Sequence, residues 1–167
     1  YGASEVGVIS NIGPGDWDKK LATVGKGVPG VKIQIRGDNG EIMPPGAVGE
    51  ITCQSKMVFK GYYNRLSDTQ ASFDGKYFRT ADNGFLDSDG YLVFTGRAKE
   101  LIITGGVNVY PKDIEEVLVC HPDIKESAVI GVPDKIFGEA VLAIVIPKSK
   151  NALNSRELRD YCFHNLS

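Results

Sequence analysis

Apolar and polar residues alternate strictly through VKIQIR, where Val31, Ile33 and Ile35 are set against Lys32, Gln34 and Arg36. A period of two predicts a strand with one buried face. EITCQ (50–54) predicts a second short strand, and a hairpin follows from Asn83 to Thr95, with NGFL and YLVFT joined by the turn DSDG. DNGE (38–41) and PPG (44–46) are turns. Around residue 97 the texture changes. ELIITGG leads into NVYPKDIEEVLVC, in which Pro111 suits the first helical turn and Ile114, Val117 and Leu118 form one apolar face. ESAVIGV (126–132) and EAVLAIVI (139–146) are β-forming runs. A last helix is predicted after Asn154, which with Glu157 makes a variant capping box, and Leu158, Tyr161, Cys162 and Leu166 share one side of it. The whole pattern is α+β: a β-rich first half, then a smaller β-α-β-β-α unit beginning near Lys99.

GKGVPG (25–30) spells the G-x-G-x-x-G of a dinucleotide loop. That loop must open a helix, and here a strand follows. Pro29 also removes a backbone N–H that a phosphate would need. The segment reads as a turn into a strand, and a dinucleotide-binding oxidoreductase is set aside.

The length of 167 residues suits one ordinary domain or two small ones. A net charge of -2 offers no attraction to nucleic acid or to an anionic membrane, so neither is expected as a partner. No apolar run approaches the ~20 residues of a membrane span, and the N-terminus has no basic-then-apolar leader pattern. Cys53, Cys120 and Cys162 are odd in number and lack a C-x-x-C pair, which disfavours a disulfide framework and zinc and favours a reducing cytoplasm. His121 and His164 have no patterned acidic or cysteine neighbours and read as non-ligands. Asp87 and Asp89 in DSDG echo a calcium loop, but its twelfth position falls on Ala98, where a bidentate Glu is required. An aspartate-rich turn is the better reading. The first residue is Tyr1 rather than Met, so the chain is expected to be a piece of a longer one.

Three polar clusters interrupt these patterns. YGASE (1–5) combines an aromatic face, a glycine for close backbone approach, a hydroxyl and a carboxylate, as a nucleotide with Mg²⁺ requires. A fraying terminus explains the same residues. In YFRTADNG, Asp82 lies between a strand and the hairpin, where a carboxylate can accept hydrogen bonds from ribose hydroxyls or simply cap a turn. In GRAKELIITGGVNVYP, Arg97 and Lys99 can pair with anions, while Gly105 and Gly106 permit a narrow ligand to approach the backbone.

Together and in this order, the clusters resemble the C-terminal portion of an adenylate-forming enzyme of the acyl-CoA synthetase branch. YGASE resembles the family's YGxTE motif, YFRTAD its (Y/F)xTGD motif, and GRAKELIITGGVNVYPKDIE its GRxK(D/E) hinge segment. VGKGVPGVKI, FKGYYN, DSDGYLVFTGR and ESAVIGVPDKIFGE match as supporting phrases, so the resemblance covers essentially the whole chain. It implies a barrel-like end of the large AMP-binding domain over 1–96, a hinge at 97–99 and a small C-terminal domain over 100–167. The implied substrates are ATP, CoA and a carboxylic acid, first of all a fatty acid, with Mg²⁺. Tyr1 would stack on adenine, Gly2 would let the nucleotide approach, Ser4 would touch phosphate and Glu5 would ligate Mg²⁺. Asp82 would hold the ribose, with Phe94 packed nearby and Arg97 assisting. Lys99 would be the hinge, and Gly105 and Gly106 would line the path of the CoA arm.

Two departures are visible. Ser4 stands for Thr and keeps the hydroxyl, whereas Ala81 stands for Gly and restricts the backbone beside Asp82. The sequence given ends before the family's PxxxGK segment with its adenylation lysine, and its upstream phosphate loop is not included, so this stretch alone is not expected to catalyse adenylation. Malonyl- or aryl-CoA synthetases, a peptide-synthetase adenylation domain and a non-catalytic β-rich interaction module stand as rival readings.

Overall fold

The computed structural model describes residues 1–149 and 153–166. The chain divides into two compact units, Tyr1–Ala98 and Lys99–Ser167. The first begins with the short strands β1 (Gly2–Ala3), β2 (Gly7–Val8), β3 (Ser10–Asn11) and β4 (Lys26–Gly27). The predicted alternation produces β5 (Lys32–Arg36) and β6 (Gly49–Gln54). After α1 (Leu66–Ala71) come β7 (Phe73–Asp74), β8 (Tyr77–Leu86) and β9 (Leu92–Arg97).

All pairings in this unit are antiparallel. The main sheet has five strands in the order β5-β6-β8-β7, with β9 added along β8. The strand-rich, barrel-like subdomain is thus an open sheet, with no closed barrel among the described residues. The physical reason is strand length: β1 to β4 have two residues each and pair only as β1-β2 and β3-β4. The core lies along the face of β6 that carries Ile51 and Cys53. Val6, Ile9, Cys53 and Phe78 form one buried cluster, and Ile35, Ile51 and Leu92 another; Tyr1 and Ile33 pack against both.

The two decoys resolve locally. In GKGVPG, β4 is followed by a turn closed by Val31 N–H donating to the Val28 carbonyl (3.0 Å), and β5 then begins at Lys32. In DSDG, the Lys20 ammonium lies 2.7 Å from Asp87 and 2.8 Å from Asp89. Asp87 Oδ1 also accepts from the backbone N–H groups of Asp89 and Tyr91. A lysine therefore stands between these carboxylates, and the turn is self-satisfied.

The second unit starts within a 3₁₀ turn, Ala98–Glu100, followed by β10 (Ile102–Thr104) and β11 (Val107–Val109). Then come α2 (Pro111–Val119), β12 (Ile124–Asp134), β13 (Gly138–Pro147) and α3 (Ser155–Asn165). The order is β-β-α-β-β-α, one strand more than the sequence pattern suggested. Gly105 and Gly106 have φ of 57° and 84°, so they form the two-residue turn of a β10-β11 hairpin in which Thr104 pairs with Val107. Positive φ at both central positions belongs to the turn type that matches strand twist. The sheet runs β11-β10-β13-β12. Ile102, Leu118, Ile124 and Val129 form its core, with Ile114, Leu158 and Cys162 packed on them. Tyr161, expected on the same face, instead sets its ring edge-on to His121 at 4.8 Å. The Asn154 side chain caps α3 by accepting from Arg156 N–H (2.9 Å).

Candidate nucleotide site

Asp82 is not in a connection but inside β8, at a place where both neighbours of the strand slip. Against β6, Arg79 pairs with Thr52 and Asn83 with Glu50, so Thr80, Ala81 and Asp82 together oppose Ile51. Against β9, Asn83 pairs with Gly96 and Gly84 with Phe94, leaving Thr95 as an extra residue. A bulge reverses the alternation of side chains. Phe94 and Arg97, three positions apart, therefore serve the same cluster. The Tyr1 ring lies 5.9 Å from that of Phe94, and Arg97 Nε is 3.9 Å from Asp82 Oδ1.

Local hydrogen bonds hold the slip open. Thr80 Oγ1 donates to the Ile51 carbonyl (2.7 Å) and accepts from Asp82 N–H (3.2 Å). Ala81 N–H donates to Glu50 Oε1 (3.2 Å), and Glu50 is itself paired with Arg79 (2.7 Å). Ala81 has φ of 59°, the left-handed conformation that glycine adopts freely and alanine does not. A glycine at this position would meet the backbone requirement freely, whereas alanine meets it under strain.

Tyr1 Oη donates to Asp82 Oδ2 at 2.6 Å. Burial, reinforced by this bond to a carboxylate, pushes the phenol far above its usual range, so it remains a donor at neutral pH. Tyr1, Asp82, Phe94 and Arg97 are brought together as one cluster. The Asp82 side chain is mostly shielded, whereas that of Arg97 is 69% exposed.

The rest of the first motif lies on the β1-β2 turn. Gly2 has a structural reason to be glycine, since a Cβ there would strike the Gly7 carbonyl. Ser4 is exposed at the turn. Glu5 is fixed at two points: its carbonyl accepts from Phe59 N–H (2.7 Å), and its Oε1 accepts from Tyr62 Oη (2.8 Å). In the second unit, Lys99 is exposed within the 3₁₀ turn, and Gly105 and Gly106 are exposed at their hairpin tip.

No group of three or more metal-ligating side chains occurs among the described residues. Glu5 presents a single carboxylate at the β1-β2 turn, an oxygen donor of the kind that could meet Mg²⁺ carried by nucleotide phosphates. Thr80, Glu50 and Tyr62 were missed as supports. Thr80 lies in YFRTADNG and Tyr62 in FKGYYN, but their partners are distant in sequence. No helix among the described residues is long and apolar enough to cross a membrane.

Known proteins share this chain's sequence pattern and fold. Residues 1–63 match the family model of the AMP-binding enzymes, and residues 113–167 match that of the AMP-binding enzyme C-terminal domain. An indoleacetate–CoA ligase of Aromatoleum aromaticum is 39% identical over 156 residues, 93% of this chain and 31% of that one. A long-chain-fatty-acid–CoA ligase of Mycobacterium tuberculosis is 39% identical over 144 residues, 86% of this chain and 28% of that one. The solved o-succinylbenzoate CoA synthetase of Bacillus subtilis, in complex with its acyl-adenylate intermediate, superposes with a TM-score of 0.94 at 36% identity, over 100% of this chain and 34% of that one. The chain belongs to the adenylate-forming superfamily. It spans about a third of the length of the curated relatives it matches.

Proposed function

We propose that the chain is part of an AMP-forming acyl-CoA ligase. A carboxylate oxygen attacks the α-phosphorus of ATP and the bond to pyrophosphate breaks, giving acyl-AMP. The CoA thiolate then attacks the acyl carbon and the bond to AMP breaks, giving the thioester. The observation that carries this reading is the cluster of Tyr1, Asp82, Phe94 and Arg97 at the double slip of β8. Tyr1 offers a ring for adenine, Asp82 two oxygens for the ribose hydroxyls, and Arg97 a mobile cation for the anion beside them. Gly2 keeps the turn tight, Ser4 exposes a hydroxyl toward phosphate, and Glu5 would hold the Mg²⁺ of the nucleotide. Bound there, Mg²⁺ supplies positive charge to the leaving pyrophosphate. Lys99 acts as a hinge between the half-reactions, and the Gly105-Gly106 tip borders the CoA arm.

The acid is proposed to be a fatty acid, as in the mycobacterial relative. Relatives named for indoleacetate, sulfoacetate and oxalate mark how widely the acid varies at similar identity. An aryl acid is the second reading, favoured by the likeness to the o-succinylbenzoate synthetase. The reduced cysteines and lack of a membrane-spanning helix among the described residues support a cytoplasmic place.

The test is Asp82→Ala in the complete enzyme. Loss of two ribose hydrogen bonds, each worth about 1.5–3 kcal/mol to a charged group, should lower ATP affinity and adenylation by a hundredfold or more. An unchanged KM for ATP and unchanged kcat would remove the ribose assignment.

A further inference from the structure

We propose that Tyr62 is a positioning residue for Glu5, setting its carboxylate for Mg²⁺ carried by the nucleotide; this rests on the metal role given to Glu5 above. Tyr62 Oη donates to Glu5 Oε1 at 2.8 Å across 57 positions of sequence. Glu5 Oε2 has no hydrogen-bond or ion-pair partner among the described residues, so one oxygen is fixed while the other is presented.

The Tyr62 hydroxyl is placed by a supported loop rather than by a wandering side chain. Its ring meets Phe59 edge-on at 4.7 Å, and Phe59 in turn packs on Phe73 and Phe78 at 6.2 and 5.6 Å. Its backbone N–H donates to Thr69 Oγ1 (2.9 Å), and Thr69 Oγ1 donates to the Arg65 carbonyl (2.8 Å). The same loop grips the Glu5 main chain through Phe59 N–H at 2.7 Å. Glu5 is thus held at backbone and side chain by one short segment. A phenol–carboxylate bond orients one oxygen without neutralising the charge a cation needs.

The experiment is equilibrium binding of ATP to the complete enzyme by calorimetry, with Mg²⁺ and with chelator. Four proteins are compared: the parent, Tyr62→Phe, Glu5→Gln and the double variant. The readout is the gain in ATP affinity that Mg²⁺ confers. Phenylalanine keeps the ring against Phe59, and near-ultraviolet circular dichroism with the melting temperature verifies that the fold is kept. Should Tyr62→Phe not fold, Thr69→Ser, which keeps the hydroxyl and loses only a methyl, and Thr69→Ala, which releases the loop, supply the same comparison.

Glu5→Gln should abolish most of the Mg²⁺ gain. Tyr62→Phe should reduce it about three- to tenfold, less than a fully shielded charge-assisted hydrogen bond would give, because the pair is partly exposed and acts through Glu5. In the Glu5→Gln background Tyr62→Phe should change nothing further. If Glu5→Gln loses the gain while Tyr62→Phe keeps it in full, the positioning role is wrong and the metal role of Glu5 stands. A loss in Tyr62→Phe that is equal with and without Mg²⁺ also overturns the proposal, because the tyrosine would then act on the nucleotide or the fold. If Glu5→Gln keeps the parent's gain, the metal role itself falls, and this inference with it.

Discussion

Single residues carry the strain of this chain and the chemistry proposed for it. Ala81 is the clearest case, because its φ of 59° is forced by the slip between β6 and β8. A left-handed non-glycine residue costs roughly 1–2 kcal/mol, against a glycine entropy cost of about 0.5–1. Ala81→Gly should therefore stabilise the first unit by about 0.5–1 kcal/mol in urea unfolding, and a loss of stability would show that Ala81 is not strained. Cys53 makes the opposite case: it is fully buried, and burial pushes its thiol up to about 11. At pH 8 a thiol reagent should label exposed Cys120 promptly and leave Cys53 untouched until the unit unfolds, as peptide mapping would read out. The identities of Tyr1, Asp82, Phe94 and Arg97 were legible in the sequence through their motifs. Their convergence was not, since nothing in YFRTADNG or YLVFTGR signals two slips of register around one strand.

Among the elements, those with a strong local period were the legible ones. β5 and α2 lie where alternation and helical spacing put them, because each buries one face against a core, and β12 lies over a β-forming run. Leu118 anchors α2 in the second core with 1% exposure. Leu118→Ala should cost about 2–5 kcal/mol by removing buried atoms and leaving a cavity, measured by unfolding of the second unit. The strand β11 was illegible for the converse reason. VNV is three residues long, and its place is set by the turn before it. Gly106 needs positive φ there, so Gly106→Val should destabilise the hairpin by about 1–2 kcal/mol although no side chain lies within 4 Å of the added Cβ. That the barrel-like sheet stays open has the same origin: closure depends on strand lengths and pairing partners that alternation alone does not encode.

At the scale of the whole molecule, the division into Tyr1–Ala98 and Lys99–Ser167 gives the hinge proposal its physical setting. Limited proteolysis should cut preferentially within 97–106, where exposed residues join the units. Cleavage concentrated inside 31–36 or 139–146 would place the boundary elsewhere. The central claim is that two half-reactions share one site and are separated by rotation at Lys99. A hinge must change its backbone dihedrals, and proline fixes φ near about -65° while also restricting Ala98 before it. The direct measurement compares Lys99→Pro with Lys99→Ala in the complete enzyme, following pyrophosphate release and single-turnover thioester formation separately. The alanine variant should perform both steps near the parent rates. The proline variant should keep acyl-AMP formation and lose CoA transfer, and normal rates for both steps would show that Lys99 is not the hinge.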